Sequence, residues 1–185
     1  LDKVCEHINL PFQAGDDDIL SKMRRGYTND DYRRLIEKIR NKIPNVSLST
    51  DVIVGFCGED DDKFQRTVEM ISDIKFDKVH AAAYSQRPDT IATRTMRDDV
   101  PYEEKRNRLK VIEKLQETIL GEINTPMKNR STEILVEDRK GKKWFGRNRN
   151  DKLVFFEDQR DLQGEIVDII IDKTSPWSLQ GVLAN

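Results

Sequence analysis

The sequence predicts an α/β region followed by a small all-β barrel, and three observations carry that reading. Leu48 to Val54 is a β-branched, largely apolar run, closed by Gly55, Gly58 and an acidic cluster that leads into an amphipathic helix. Such a βα unit places a ligand at the carboxyl end of its strand. Neighbouring stretches repeat the grammar. After Thr125-Pro126 helical periodicity stops, and short β runs punctuated by glycine follow. A boundary near residue 125 therefore separates an α/β part, 1–125, from a β part, 126–185.

Residues 4–10 alternate enough for a short strand, and Pro11 to Gly15 form a loop. Asp16, Asp17 and Asp18 sit where a helix N-terminus favours acids, ahead of Ile19, Leu20 and Met23, and Arg24 to Tyr27 close that helix. Thr28 or Asn29 caps a second helix, whose apolar face is Tyr32, Leu35, Ile36 and Ile39. Phe64, Val68, Ile71 and Ile74 mark the helix after the central strand. Lys78 to Tyr84 is the next strand, and residues up to Val100 show no clear period. Pro101 opens a long charged helix striped by Leu109, Ile112, Leu115, Ile119 and Ile123, ending near Asn124. The β part holds runs at 132–136, 144–149, 153–156, 165–171 and 178–183.

A chain of 185 residues suffices for one large domain or two small ones. The net charge of −2 singles out no partner, but Arg139 to Lys152 carries 7 basic residues and one acidic residue. That block points to a local anionic partner or to a solvated loop. Cys5 and Cys57 are too few for a disulfide framework and lack metal-ligand spacing, so a reduced, cytoplasmic setting is expected. No apolar run reaches the length of a membrane span, and no signal peptide is visible. Beginning at Leu1 without Met, the chain reads as a fragment.

Four stretches, His7 to Gly15, Met23 to Thr28, Thr50 to Glu59 and Tyr84 to Pro88, together resemble the methylthiotransferase family of radical S-adenosylmethionine (SAM) enzymes. Residues 126–185 resemble the TRAM domain, an RNA-binding OB-like β-barrel. Arg87-Pro88 after Tyr84-Ser85, and Gly146 to Arg149, are most similar to the MiaB-type subfamily, which modifies tRNA; the ribosomal-protein type usually has an acid where Arg87 stands. The resemblance implies a partial (βα) TIM-like barrel before the TRAM barrel. It also implies a cytoplasmic transferase that adds a methylthio group to isopentenyl-adenosine beside the tRNA anticodon. Its cofactors would be SAM and 4Fe-4S clusters, one of them held by a C-x-x-x-C-x-x-C motif. This chain has no such motif, so it resembles the C-terminal part of such an enzyme and alone is expected to be inactive. Cys57, Asp89 and Ala14 stand where the family usually has proline, glycine and serine.

Carried onto this sequence, the resemblance assigns SAM binding to Gln13, Arg25, Asp51, Ile53, Gly55, Tyr84 and Ser85, with no catalytic residue or metal ligand identified. For Ile53 and Gly55 the bland reading is a buried strand and its turn; for Arg25 it is a helix-end cation, and for Glu59 a helix-start acid. His7 and His80 read as structural. RNA contacts are assigned to Arg87, Lys142, Lys143, Arg147, Arg149 and Lys152, since cations hold phosphates while aromatics stack bases. Trp144 and Trp177 are expected in the barrel core. The expected partner is a tRNA anticodon stem-loop, without DNA or membrane contact. A monomeric parent and self-association through an open sheet edge are further expectations. Rival readings are another methylthiotransferase subfamily, acting on threonylcarbamoyl-adenosine or a ribosomal protein, and a non-catalytic RNA-binding module.

Overall fold

The computed structural model describes residues 4–184. The chain divides into two compact units, one comprising 8–116 and the other 1–7 with 117–185.

A three-stranded sheet, which belongs to the first unit apart from His7, has the order β1 (His7–Asn9), β2 (Ser47–Val54), β3 (Lys78–Ala83). β2 and β3 run parallel, with Asp51 opposite His80 and Ile53 opposite Ala82. Leu48, Thr50, Val52 and Val54 are buried on one face of β2, where the helices pack. α1 (Asp17–Lys22) is capped by Asp16, whose side chain accepts the Ile19 N–H. α2 (Asn29–Lys42) starts in a capping box between Thr28 and Asp31. α3 (Asp61–Ile74) is capped by Asp60 and buries Phe64, Thr67, Met70, Ile71 and Ile74.

Phe12, Tyr32 and Phe76 form the aromatic centre of this core, with Phe12 and Phe76 stacked at 5.7 Å. The Tyr32 hydroxyl donates to the Leu10 carbonyl at 2.6 Å, and burial pushes its pKa up to about 12. Leu35 does not join them: it is 43% exposed, because Tyr32 and Ile36 fill the buried stripe of α2. The aperiodic stretch before Val100 contains a short helix, α4 (Ile91–Thr95), capped by the Thr90 hydroxyl.

α5 (Tyr102–Asn124) spans the limit between the two units. Its buried side carries Ile112, Ile119 and Leu120, and also Lys105, Arg108, Gln116 and Asn124, which hydrophobic spacing does not reveal.

The second unit contains a closed barrel in the order β4 (Ser131–Lys140), β5 (Lys143–Asn148), β6 (Leu153–Glu157), β8 (Leu179–Leu183), β7 (Ile166–Thr174). Alternation sends Ile134, Val136, Trp144, Val154, Phe156, Ile169, Ile171 and Leu179 inward. Gly146 lets β5 approach β4: a Cβ there would lie 2.0 Å from the Leu135 carbonyl oxygen. Trp144 is core, as expected, but Trp177 is 56% exposed. Trp177 stands in a turn closed by mutual hydrogen bonds between Ser175 and Ser178, which keeps it out of the strand alternation.

Candidate functional site

β2 and β3 end side by side at Val54 and Ala83, and the chain then turns at Gly55 and Tyr84. On the face opposite the helices, the register aligns Asp51 with His80 and, nearer the strand ends, Ile53 with Ala82. A cavity of about 580 Å³ opens at those ends. Ile53, Phe56, Ala82, Ala83 and Tyr84 give it apolar walls; Ile91 and Ala92 add to them, and Lys22, Arg24, Arg25 and Arg87 line it with cations.

Five residues assigned from sequence therefore meet at one cavity: Arg25, Ile53, Tyr84, Ser85 and Arg87. The other three, Gln13, Asp51 and Gly55, are not among its lining residues. Gln13 is buried, donates its N–H to the Asp51 carbonyl at 3.0 Å and accepts the Ile53 N–H at 2.9 Å, so its backbone extends the sheet beside β2. The Asp51 carboxylate accepts the Asn9 amide at 3.1 Å. Gly55 has φ +71 and is approached so closely that a Cβ would sit 2.3 Å from Lys105 Cγ.

Three other residues of this region also hold left-handed backbone, Gln13 at φ 71, Arg24 at φ 58 and Asp89 at φ 65. Asp89 thus keeps the conformation that a glycine would take at no steric cost, and such strain concentrates at functional sites. The residues in the other two family-atypical positions, Ala14 and Cys57, are buried in one cluster with Ile19, Leu20 and Phe56.

Sequence reading missed the buried polar groups behind the cavity. Glu59 is no exposed helix-start acid. It is 3% exposed, and its Oε2 accepts the Gly55 N–H at 2.5 Å and the Arg108 guanidinium at 2.8 Å. Burial pushes the Glu59 carboxyl up, against the opposing pull of these two donors. Lys105 Nζ donates to both oxygens of Asp98 at 2.6 and 2.8 Å and to the Tyr84 carbonyl at 3.2 Å. The available signal was spacing: Lys105, Arg108 and Ile112 share one helix face.

An apolar, aromatic-sided cavity with guanidinium groups suits a planar apolar group joined to a carboxylate or phosphate. Among the described residues no group of three or more His, Cys, Asp or Glu is placed to hold an ion. Burial pushes the Cys57 thiol up.

In the barrel, the basic block falls into two sets. Arg147 pairs with Glu137 at 3.3 Å and Asp151 at 3.1 Å, and Arg149 pairs with Glu6 at 2.8 Å. The Lys152 backbone N–H donates to Asn148 Oδ1 at 2.9 Å. Lys140, Lys142 and Lys143, by contrast, are exposed around Gly141 at the β4–β5 turn and make no ion pair among the described residues. Arg139 lies 5.2 Å over the Trp144 ring. Phe145 and Phe155 pair across β5 and β6 at 5.9 Å, next to a smaller cavity of about 260 Å³ lined by Lys143, Phe155, Lys173 and Gln180.

Comparison with known proteins adds two matches within the chain. Residues 1–71 match the family model of the Radical SAM superfamily, and residues 127–184 match that of the TRAM domain. The chain is 49% identical over 185 residues to the tRNA-2-methylthio-N(6)-dimethylallyladenosine synthase of Dehalococcoides mccartyi (strain CBDB1), covering 100% of this chain and 44% of that protein. It is 51% identical over 186 residues to the synthase of that name from Herpetosiphon aurantiacus, covering 99% and 42%. With the Dictyoglomus thermophilum protein of that name the figures are 43% identity, 97% and 41%. The chain thus spans less than half the length of these curated relatives.

Proposed function

The chain joins a radical SAM segment to a TRAM domain, and on that premise we propose that it belongs to a tRNA methylthiotransferase acting on dimethylallyl-adenosine beside the anticodon. In this reading 1–125 is the C-terminal part of the SAM-binding domain and 126–185 binds the tRNA, in the cytoplasm. One observation carries the assignment of SAM: Arg25, Ile53 and the Tyr84, Ser85 and Arg87 stretch, three segments distant in sequence, line a single cavity at the paired ends of β2 and β3.

SAM supplies the radical and methyl chemistry; the residues of this chain bind and orient it. Ile53, Ala82 and the Tyr84 ring offer apolar surface to the adenine. Arg25 presents a planar donor fork to the methionyl carboxylate. Ser85 and the backbone after β3 hydrogen-bond the nucleoside, while Arg87 reaches the tRNA. Gln13, Asp51 and Gly55 fix the β2 side of the cavity. No residue here is assigned to an iron–sulfur cluster, because two cysteines do not make a three-thiolate set. The chain on its own, reconstituted with iron and sulfide, is accordingly expected to release no 5′-deoxyadenosine from SAM.

The β4–β5 turn supports the RNA half of this reading. Lys140, Lys142 and Lys143 keep their charges available to phosphates, and the outward Phe145 and Phe155 supply aromatic surface beside them. Mass spectrometry of tRNA nucleosides from a strain lacking the full-length protein tests the substrate. The reading predicts loss of the methylthio group from dimethylallyl-adenosine and accumulation of the unthiolated nucleoside. Loss confined to threonylcarbamoyl-adenosine, or to a ribosomal protein, would contradict it.

A further inference from the structure

We propose that Lys105 and Arg108 of α5 are positioning residues that set the shape of the nucleoside cavity by clamping the two turns that wall it. The proposal rests on the SAM reading for the identity of the ligand, and on geometry alone for the clamp.

Each cation joins elements far apart in sequence. The Lys105 stem fills the space that the missing Gly55 side chain leaves after β2. Its ammonium donates to the Tyr84 carbonyl after β3, lies 5.2 Å from the centre of the Tyr84 ring, and is held by Asp98. Tyr84 is fixed from its other side as well, since its N–H donates to the Val54 carbonyl at 2.8 Å. Arg108, three residues along the helix, reaches the same β2 turn through Glu59: it donates to both the carbonyl and the carboxylate of Glu59, and that carboxylate accepts the Gly55 N–H. Glu104, Asp61 and the Phe64 ring surround the rest of the guanidinium.

Both side chains are 4% exposed. Burying ions this deeply gains little stability over apolar side chains of similar volume, because desolvation offsets the attraction. What the ions add is direction. An aliphatic side chain at 105 would pack on Gly55, yet it would leave the Tyr84 carbonyl and Asp98 without their donor. The segment from Tyr84 to Arg87, which lines the cavity, would then lose its register against Ile53. Small displacements of groups that orient a ligand have large consequences for binding and rate.

The test uses the full 185-residue chain, with SAM and 5′-deoxyadenosine as probes in equilibrium dialysis and amide hydrogen exchange as the local readout. Lys105→Met keeps the stem and removes the donors. It is expected to weaken SAM binding by about tenfold or more and to speed exchange at Gly55 and from Tyr84 to Arg87. Exchange within β4 to β8, and tRNA binding, should stay at wild-type values. Lys105→Arg, which restores a buried cation, should recover part of the binding. Should Lys105→Met fail to fold, Asp98→Asn applies the same test: it keeps Lys105, loosens its anchor and should speed exchange between Tyr84 and Arg87. Wild-type affinity together with wild-type exchange in the variant that folds would overturn the clamp. If the wild-type chain binds neither probe, the SAM reading fails, and the exchange comparison alone still decides the clamp.

Discussion

The Glu59 carboxylate accepts the Gly55 amide N–H at 2.5 Å, so the turn that ends β2 is tied to the residues that lead into α3. Arg108 completes the link at 2.8 Å, and the side chains on both sides of that ion pair are buried. The strand end lining the cavity is therefore held by a polar network rather than by packing alone.

Breaking this network should be costly. Glu59→Leu removes the one buried carboxylate that faces the Arg108 guanidinium among the described residues and is expected to destabilise the chain by about 3–5 kcal/mol in urea unfolding. Glu59→Gln keeps an acceptor and should cost less, about 1–3 kcal/mol. The folded-state pKa of Glu59 is raised above its ordinary value of 4.5, so the folded state holds the proton more tightly. Stability linked to this group is thus present at low pH and declines as pH rises through the raised value. Glu59→Gln should remove that decline.

Asp31 behaves in the opposite sense. Hydrogen bonds from the Thr28 backbone and hydroxyl, and from Arg34, hold its carboxyl down from 3.8 to about 2. Its contribution to the α2 cap is therefore present above the unfolded value and lost as pH falls from 3.8 towards about 2. Asp31→Asn should flatten the fall in urea midpoint over that range, measured by circular dichroism. An unchanged profile would show that the box does not persist in solution.

Arg25 lines the cavity with an exposed guanidinium. If it meets the carboxylate of SAM, Arg25→Ala should weaken SAM binding by about tenfold or more, the worth of a charge-assisted hydrogen bond. The affinity for 5′-deoxyadenosine, which has no carboxylate, should remain unchanged. Equal losses for both probes would place Arg25 elsewhere in the site.

In the barrel, exposed and paired cations should separate by salt dependence. Lys142→Ala with Lys143→Ala is expected to reduce the slope of log affinity for tRNA against log salt by about 1.5, since each phosphate that a cation neutralises adds roughly 0.7–0.9 to that slope. Arg149→Ala removes a cation already engaged by Glu6 at 2.8 Å, and the slope should change less. Filter binding across a salt series measures both.

Some of this architecture was legible in the sequence because it rests on local chemistry. The run from Leu48 to Val54 is β-branched and apolar, and it forms β2 between β1 and β3. Alternation at Trp144, Gly146, Val154 and Phe156 marks the barrel interior. Lys105 and Arg108 are hidden because a charged residue on a charged helix reads as solvated, and Glu59 because an acid just ahead of a helix reads as a helix-start acid. Their burial depends on partners such as Glu59 and Arg108, 49 residues apart. Trp177 departs in the other direction: it is expected in the core alongside Trp144, while the Ser175–Ser178 turn holds it outside.

The account turns on whether the cavity between the ends of β2 and β3 binds SAM, and a titration of the isotopically labelled 185-residue chain with SAM, followed by amide chemical shifts, tests it most directly. Saturable shifts centred on Arg25, Ile53, Phe56, Tyr84 and Ser85, with residues 131–183 unmoved, are the predicted result. Absence of saturable shifts at those five residues, or shifts confined to the barrel strands, would contradict it.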